Sequence, residues 1–394
     1  MQIDFAASER SSVGVEWEVC LVDPATGDLV QRADEVLDAL GPPPADPAVG
    51  PAPHVTHELL QNTVELVSGV HRTVGGAVDD LDLLAAHTRE VTDRLGIELM
   101  GAGTHPFAQW FDQLPSASDR YRRLLERTRW WGRQMLIWGI HVHVGIEERD
   151  KVLPLVNALL TYYPHLQALS ASSPFWAGAD TGYASNRALM FQQLPTAGLP
   201  WQVGGWANFE QYVEDLLVTG IADEVSEVRW DIRPSPKWGT IEVRACDGVA
   251  TVEEIGAVAA LIQCLTERLS SRLDDGEQLP MLQPWFVREN KWRAARYGLE
   301  ARIITDQRGT QRPVADAIRD LTAELEPIAD RLGCAPQLAS VGRILEVGAG
   351  YQRQRAAAAA ADGDLERVVA RICHEMRHGL DAGEPPDGSA RTGG

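Results

Sequence analysis

Three short segments of the sequence carry acidic, imidazole or guanidinium side chains at every second position. The pairs are Glu16 and Glu18, His141 and His143, and Glu242 and Arg244. In an extended chain, successive side chains point to opposite faces, so each pair shares one face while its apolar neighbours enter a core. Three such strands in one sheet would combine three carboxylates, two imidazoles and a guanidinium. That set of groups is typical of a metal and anion site.

Alternation of apolar and polar residues is also typical of any sheet with one wet face, and for a single strand this plainer interpretation is favoured. The coincidence of three strands favours a site, because paired Glu residues are poor strand formers and His-x-His is a common metal-ligand spacing. A bound cation would remove the repulsion between carboxylates. We therefore expect Glu16→Gln and Glu242→Gln to abolish activity and to stabilise the metal-free protein.

A fourth acidic segment spans residues 57–69 and contains Glu58 and Glu65 around an apolar stretch. If the chain becomes a strand at Val64, then Glu65 points opposite to Val64 and Leu66, and both acids could reach the same cavity. The alternative for Glu58 is a solvated helical position.

Composition limits the possible partners. The chain has 394 residues, 44% of them hydrophobic, and a formal net charge of −20. This acidity argues against nucleic acid or an anionic membrane as partner, because both would need a basic surface. The five cysteines are scattered and predict reduced thiols in a cytoplasmic protein. No stretch approaches the roughly twenty apolar residues of a membrane span.

Periodicity predicts a mixed α and β chain. Since no clear linker divides it, we expect a single catalytic domain over residues 1–380, with a helical C-terminal part from about residue 301. Strands are predicted over residues 11–23, near 29–30 and at 97–100, and a helix over 73–95. Further helices are predicted at 116–136, 150–170, 207–219, 251–273, 312–332 and 364–380, and the alanine run 356–361 as the end of another. Residues 41–53 are predicted to form a surface loop and 381–394 a disordered tail. The elements do not alternate strictly, so we expect a largely antiparallel sheet with helices outside it.

The sequence resembles the glutamate–cysteine ligase type 2 family, the short bacterial carboxylate–amine ligases related to γ-glutamylcysteine synthetase. Seven blocks carry the resemblance in order between about residues 12 and 300. They are 14–18 (GVEWE), 64–69 (VELVSG), 139–145 (GIHVHVG), 185–187 (SNR), 230–234 (WDIRP), 239–244 (GTIEVR) and 289–298 (ENKWRAARYG).

The resemblance implies an α+β fold of the glutamine synthetase and guanido kinase group, a curved and mostly antiparallel sheet that forms a funnel with helices outside. It implies that ATP phosphorylates the side-chain carboxylate of glutamate and that cysteine or another amine attacks the acyl phosphate. The implied metal ligands, for Mg²⁺ or Mn²⁺, are Glu16, Glu18, Glu58, Glu65, His141 and Glu242. Among them Glu16 and Glu242, together with Arg244, are also implied to be catalytic.

The implied substrate and ATP contacts are Arg187, Arg233, Arg244, His143, Asn290, Arg293 and Arg296. His143 shares a face with His141 and is equally compatible with a supporting role. The residues of the 289–298 block lie on a predicted helix, and a solvated face is as good an interpretation for them. The partners expected are small molecules, an amino acid and an amine, and a homo-oligomer is left open.

Three further patterns are interpreted as structural. The basic run between Arg120 and Arg133 is interleaved with Leu and Trp, which favours an exposed helix flank over a binding patch. His374-Glu375-Met376-Arg377-His378 fits the H-E-x-x-H pattern of zinc proteases, but no later His supplies a third ligand. Gly101-Ala102-Gly103 lacks the remaining glycine of a dinucleotide fingerprint.

Two other classes of function remain open from the residues alone. A metal-dependent hydrolase would also use carboxylates and His at strand ends, but without ATP. A non-catalytic binding protein could keep the fold without turnover, although it would have no need for carboxylates that repel one another. The sequence contains no motif that identifies the attacking amine.

Overall fold

The centre of the protein is an antiparallel sheet that carries the acidic and imidazole segments side by side. The structure is a computed structural model, and it describes residues 1–42, 52–381 and 383. Seven strands form this sheet in the order β2-β3-β1-β5-β9-β8, with β4 also paired to β1. They are β1 (Val13–Val22), β2 (His54–His57), β3 (Thr63–Val67), β4 (Glu98–Met100), β5 (Gly139–Gly145), β8 (Ile232–Ser235) and β9 (Thr240–Asp247). Two small hairpins are β6 (Phe175–Trp176) with β7 (Ala179–Asp180), and β10 (Arg302–Ile304) with β11 (Gln311–Pro313).

Strand register places the acids and imidazoles opposite one another. Glu18 of β1 pairs with Glu65 of β3, and Glu16 pairs with His141 of β5. His143 pairs in turn with Glu242 of β9. Because side chains alternate along each strand, this register leaves the polar groups on one face. The opposite face is buried and apolar.

Helices cover the apolar face of the sheet. Contacts to the sheet come mainly from α2, α5, α6 and α9. The helices are α1 (Ala33–Leu40), α2 (Val74–Leu95), α3 (Asp119–Thr128), α4 (Trp130–Arg133), α5 (Arg149–Leu159), α6 (Tyr163–Ser170), α7 (Arg187–Phe191), α8 (Trp206–Val218), α9 (Val252–Asp274), α10 (Pro284–Tyr297), α11 (Val314–Leu332), α12 (Ala335–Val347), α13 (Gly350–Ala360) and α14 (Leu365–His378). Helix α9 begins with a capping box between Thr251 and Glu254, and it is buried along most of its length. The fold predicted from the sequence, an antiparallel sheet with outer helices, is confirmed.

Several predicted elements differ in their limits. The helix expected at 116–136 is divided at Arg129, whose φ of 48° lies in the left-handed region. The one expected at 150–170 is two helices, and Pro164 stands in the first turn of the second, where a missing N–H is tolerated. The strand expected near residues 29–30 is only a bridge between Val22 and Leu29. Most of the predicted 41–53 loop and of the tail lies outside the described residues.

Two further expectations from the sequence concern the cysteines and membrane-spanning segments. All five cysteines are buried and free, in agreement with reduced thiols. Within the described ranges, no helix has the length and apolar character needed to cross a membrane.

Candidate active site

The polar face of the sheet brings the six predicted metal ligands and a second imidazole, His143, close together. In each of three neighbouring groups, the ligand atoms lie within 4.8 Å of one another. The groups are Glu16, His143 and Glu242; Glu16, Glu65 and His141; and Glu18, Glu58 and Glu65. All six residues predicted as metal ligands are therefore brought together. His143, predicted as a substrate contact, stands among them.

The pKa values of the two imidazoles are shifted in opposite directions. His141 is 2% exposed, and burial together with Arg244 lowers its pKa to about 4, so the ring is neutral near pH 7. Its Nδ1 lies 2.8 Å from Glu16 Oε2, while its buried Nε2 has no hydrogen-bond partner and lies 3.8 Å from Glu18 Oε1. With the proton on Nδ1, the ring donates to Glu16 and Nε2 keeps a free lone pair. For His143, burial is outweighed by Glu242 and Glu16, which raise its pKa.

The carboxylates fall into two kinds. Burial and the neighbouring Glu58 raise the pKa of Glu18 to about 8, and burial with three neighbouring acids raises that of Glu65 well above its usual range. For Glu16 and Glu242, burial is opposed by imidazole or guanidinium partners, which lower the pKa of both groups. For Glu18, the opposing effect of Arg187 and Arg244 is outweighed by burial and by the neighbouring acid, whereas Glu242 is paired directly with guanidinium groups.

Arginines form the second half of the site. Arg233 contacts both carboxylate oxygens of Glu242, at 2.7 and 3.1 Å, and Arg244 donates to the same carboxylate. Arg187 is 3% exposed, and its Nη1 lies 3.2 Å from the carbonyl oxygen of Arg244. The Nε atoms of Arg187 and Arg244 are buried without a hydrogen-bond partner. A fork with a donor to spare suits an incoming carboxylate or phosphate.

Most of these groups line one cavity of about 400 Å³, namely Glu16, Glu18, Glu58, Glu65, His141, Arg187, Arg233 and Arg244. Glu242 and His143 are not among the described residues of its wall, and they reach the site through their contacts with Glu16, Arg233 and Arg244. The cavity walls also include residues that the sequence did not single out as site residues, namely Arg120, Tyr121, Ser226, Arg229 and an apolar set of Leu59, Leu124, Met135, Ile137, Phe191 and Leu194. For Arg120 the interpretation as an exposed flank was incomplete, because the helix is exposed but this residue faces the cavity mouth. The basic run between Arg120 and Arg133 was therefore a sequence signal for a cavity residue. Apolar wall residues have no comparable sequence signal, since they resemble core.

Three residues predicted to bind substrate or ATP lie elsewhere. The amide of Asn290 donates to the carbonyl oxygen of Ile304 at 2.7 Å and accepts from its N–H at 2.8 Å, which ties α10 to β10. Arg293 pairs with Glu289 of the same helix, and Arg296 donates to the carbonyl oxygen of Gly182. None of the three lines the cavity. All three side chains bind other groups of the protein, so their contacts in this structure are structural.

The other sequence patterns also have structural explanations. Glu375 of the H-E-x-x-H pattern is buried and pairs with Arg353 at 3.0 Å and Arg371 at 2.7 Å. In the glycine pair, a Cβ on Gly101 would lie 2.3 Å from the carbonyl oxygen of Val249, and one on Gly103 would lie 2.8 Å from the Asp247 carboxylate. These glycines allow close packing.

The donor set fits a hard divalent cation. Five carboxylates and a minority of imidazole match the oxygen preference of Mg²⁺ or Mn²⁺ better than that of Zn²⁺. The unpartnered Nε2 of His141 and the acids around Glu18, whose pKa values are raised, are what such ions would satisfy. The residues present therefore fit magnesium or manganese.

An antiparallel sheet that carries acidic groups beside arginine forks is compatible with a ligase of the carboxylate–amine class, and comparison with known proteins identifies both the class and the family. The model of the family described as "Glutamate-cysteine ligase family 2" matches residues 12–371. The chain belongs to this glutamate–cysteine ligase family 2. It is 64% identical over 379 residues to "Putative glutamate--cysteine ligase 2" of Leifsonia xyli, which covers 96% of this chain and 99% of that protein. It is 56% identical over 374 residues to "Putative glutamate--cysteine ligase 2-2" of Nocardia farcinica, with 95% and 98% covered.

Solved structures show the same fold at low sequence identity. A glutamate–cysteine ligase from Francisella tularensis, crystallised in complex with AMP, matches with a TM-score of 0.67 at 15% identity, covering 95% of this chain and 90% of that chain. The complex of the ubiquitin-like protein Pup with its ligase PafA matches with a TM-score of 0.52 at 10% identity, covering 94% and 73%. These likenesses establish the fold alone.

Proposed function

We propose that this enzyme uses ATP to activate the γ-carboxylate of glutamate as an acyl phosphate and transfers the acyl group to cysteine or another amine, forming an amide. The observation that carries the proposal is the continuous row of three ligand groups beside the forks of Arg187 and Arg244. Phosphoryl transfer to a carboxylate gathers several anionic oxygens in one place. The dominant need is positive charge at that place.

Each group of residues has a part in this proposal. Glu16, Glu18, Glu58, Glu65, His141 and Glu242 would hold Mg²⁺ or Mn²⁺, with His143 as a further ligand beside Glu16 and Glu242. When bound, the ions would supply charge neutralisation for the phosphates and the reacting carboxylate. Arg187 and Arg244 would bind the donor carboxylate or the transferred phosphate through their unpartnered Nε–H groups.

Arg233 has a different part, because its donors already have partners within the protein. Glu242 accepts from its Nε and Nη2, and the carbonyl oxygens of Ser226 and Val228 accept from its Nη1. It would keep Glu242 ionised and oriented, so that the carboxylate is ready to bind a cation. His143 would be held in place by its Nδ1 contact to Thr240 Oγ1 at 2.8 Å. These contacts fix the ligands before the substrates arrive.

The acyl phosphate can be tested without knowing the acceptor. Hydroxylamine is small and strongly nucleophilic, so it should replace the amine and give a hydroxamate together with one ADP per product. Glutamate is offered first, then a panel of other carboxylates. Glutamate hydroxamate with stoichiometric ADP would support the proposal. ADP coupling with another carboxylate but not glutamate would refute glutamate as donor, and hydrolysis without ADP would indicate the metal-dependent hydrolase.

Two controls sharpen the test. EDTA should abolish hydroxamate formation, and Mg²⁺ or Mn²⁺ should restore it, so turnover undiminished by EDTA would contradict the metal role. Arg187→Ala should weaken hydroxamate formation about tenfold or more, as expected for loss of a charge-assisted contact. Arg319→Ala, which removes an exposed ion pair on α11, is the matched control and should have no effect.

A further inference from the structure

A buried carboxylate lies next to the site without lining its cavity. Asp247 ends β9, three residues after Arg244, and is 1% exposed. It accepts hydrogen bonds from the Ser172 N–H at 3.0 Å, from Ser173 Oγ at 2.6 Å and from Ser185 Oγ at 2.8 Å. A carboxylate buried this deeply needs such donors to be tolerated. The ligase chemistry proposed above does not use it.

The two serine hydroxyls pass this anchoring on to helix α7. Ser173 Oγ accepts from the N–H of Arg187 at 3.1 Å, and Ser185 Oγ accepts from the N–H of Ala188 at 3.4 Å. These are first-turn donors, which no group within a helix can satisfy. The N-cap residue Asn186 makes no side-chain capping bond. A helix of five residues is not stable alone, so its position depends on these contacts.

Helix α7 presents two side chains to the cavity, Arg187 and Phe191. The Arg187 guanidinium passes over Gly139, where a Cβ would lie 2.1 Å from Nη2. The Phe191 ring centroid lies 5.8 Å from the guanidinium carbon of Arg187 and 5.8 Å from that of Arg244. The ring is therefore within cation–π distance of both guanidinium groups, and it packs against each of them.

We propose that Asp247 is a positioning residue for the arginine clamp: through Ser173 and Ser185 it fixes helix α7, so that Arg187 stands at a set distance from Arg244 to bind the donor carboxylate or its phosphate. Strand β9 then holds both halves of the clamp, Arg244 directly and Arg187 through Asp247. This inference rests on the proposed function, because it assigns the clamp a substrate.

The surroundings of Asp247 leave little freedom for the carboxylate to move. A Cβ on Gly103 would lie 2.8 Å from it, and Ser172 Oγ accepts from the Gly103 N–H at 2.8 Å. Oδ2 thus lies against the Gly103 backbone and accepts from Ser172 and Ser173, while Oδ1 accepts from Ser185 Oγ. A shift of the carboxylate would move both serine hydroxyls and the start of α7 together.

The test is a double-mutant cycle between Asp247→Asn and Arg187→Ala, with hydroxamate formation and the KM for the donor as readouts. In Asp247→Asn, an NH₂ group replaces one carboxylate oxygen that accepts from a serine hydroxyl. Helix α7 then loses one anchoring contact, while the side chain keeps its volume. We expect Asp247→Asn to raise the donor KM about tenfold with a smaller change in kcat. In the Arg187→Ala background the same substitution should change KM less than about twofold, because the clamp is already gone.

A merely structural role predicts a different result. Asp247→Asn would then raise KM by the same factor in both backgrounds, or leave KM unchanged while lowering thermal stability, and either outcome overturns the inference. If Asp247→Asn does not fold, Ser185→Ala replaces it in the cycle, because it removes the hydroxyl that joins Asp247 to the Ala188 N–H and leaves the link through Ser173 in place. Ser170→Ala, which removes a buried hydroxyl bonded to the carbonyl oxygen of Leu166, is the matched control and should leave KM unchanged.

Failure of this inference can be told apart from failure of the proposed function. If wild-type protein forms no hydroxamate from any carboxylate, the ligase proposal is wrong and the cycle has no baseline. If wild type turns over and Arg187→Ala raises KM, but the cycle is additive, the ligase stands and the role of Asp247 is refuted.

Discussion

Replacing Glu18 by Gln should stabilise the metal-free protein, and the gain should depend on pH. Glu18 is 9% exposed and lies in the group with Glu58 and Glu65. The substitution removes the charge but keeps the shape. The Gln Oε1 can still accept the hydrogen bond that Glu18 accepts from the Gly139 N–H. The main change is therefore electrostatic.

The size of the gain follows from the pKa. Burial and Glu58 raise the pKa of Glu18 from its ordinary value of 4.5 to about 8. Between these values the folded protein holds a proton that the unfolded chain releases, so stability falls as pH rises, by about 1.4 kcal/mol per pH unit. At pH 5 the loss is under about 1 kcal/mol, and at pH 7 it is about 3 kcal/mol. Gln does not titrate and avoids this loss.

Denaturant unfolding at pH 5, 6, 7 and 8 in EDTA measures the effect. The difference between Glu18→Gln and wild type should grow from pH 5 to pH 8. Mg²⁺ should stabilise wild type more than the variant, because the ion compensates the same carboxylates. Glu326→Gln, at an exposed position on α11, is the matched control and should give a difference that does not change with pH.

A constant difference across this pH range, or a variant less stable than wild type at pH 8, would refute the reasoning. Either result would mean that cationic or hydrogen-bonding groups stabilise the charge of Glu18 in the metal-free protein and outweigh its burial and its acidic neighbours.

Three more predictions follow from the packing of the site. Glu242→Gln should abolish hydroxamate formation and destabilise the protein by about 3 kcal/mol, because it leaves two buried guanidinium groups without their carboxylate; a more stable variant in denaturant unfolding would contradict this. Gly139→Ala should raise the donor KM in steady-state kinetics, since the new Cβ occupies the place of the Arg187 guanidinium; an unchanged KM would show that Arg187 does not bind the donor from that position. Lys291→Met should cost about 3–5 kcal/mol in unfolding free energy, because Asp231, 2.7 Å away and equally buried, would lose its partner; a loss under about 1 kcal/mol would mean that the pair adds little.

From the sequence we expected Gln substitution to relieve repulsion at both Glu16 and Glu242. The structure instead gives both carboxylates favourable partners and places the repulsion around Glu18. Sequence alone shows neighbouring acids but not their partners. Glu242 lies between Arg233 and Arg244, and Glu16 contacts both imidazoles, so the pKa of each is lowered. Repulsion that outweighs the effect of nearby cations is confined to the group around Glu18, where β1 meets β3.

The sequence by itself determined which residues face the same way, because the two-residue period of a strand is a local property. This period predicted the pairs on β1, β5 and β9. The order of the elements, which do not alternate strictly, predicted the antiparallel sheet, and the seven blocks of resemblance indicated the family. It could not separate residues that share a motif but not a location. Asn290 and Arg293 belong to one of the blocks that carry the family resemblance, as Arg187 and Arg244 belong to others. Yet Asn290 ties α10 to β10 and Arg293 pairs with Glu289, whereas Arg187 and Arg244 line the cavity.

Only the tertiary structure decided which charged and hydrogen-bonding groups have a partner and which do not. Strand register sets Glu18 against Glu65 and Glu16 against His141, and a shift of one residue would turn these side chains to the other face. The distances across strands, and hence the pKa values, depend on that register. The approach of Arg187 over Gly139, and its link through Ser173 to Asp247, join segments that are distant in the sequence. No local pattern encodes such contacts, because they arise from packing between distant parts of the chain.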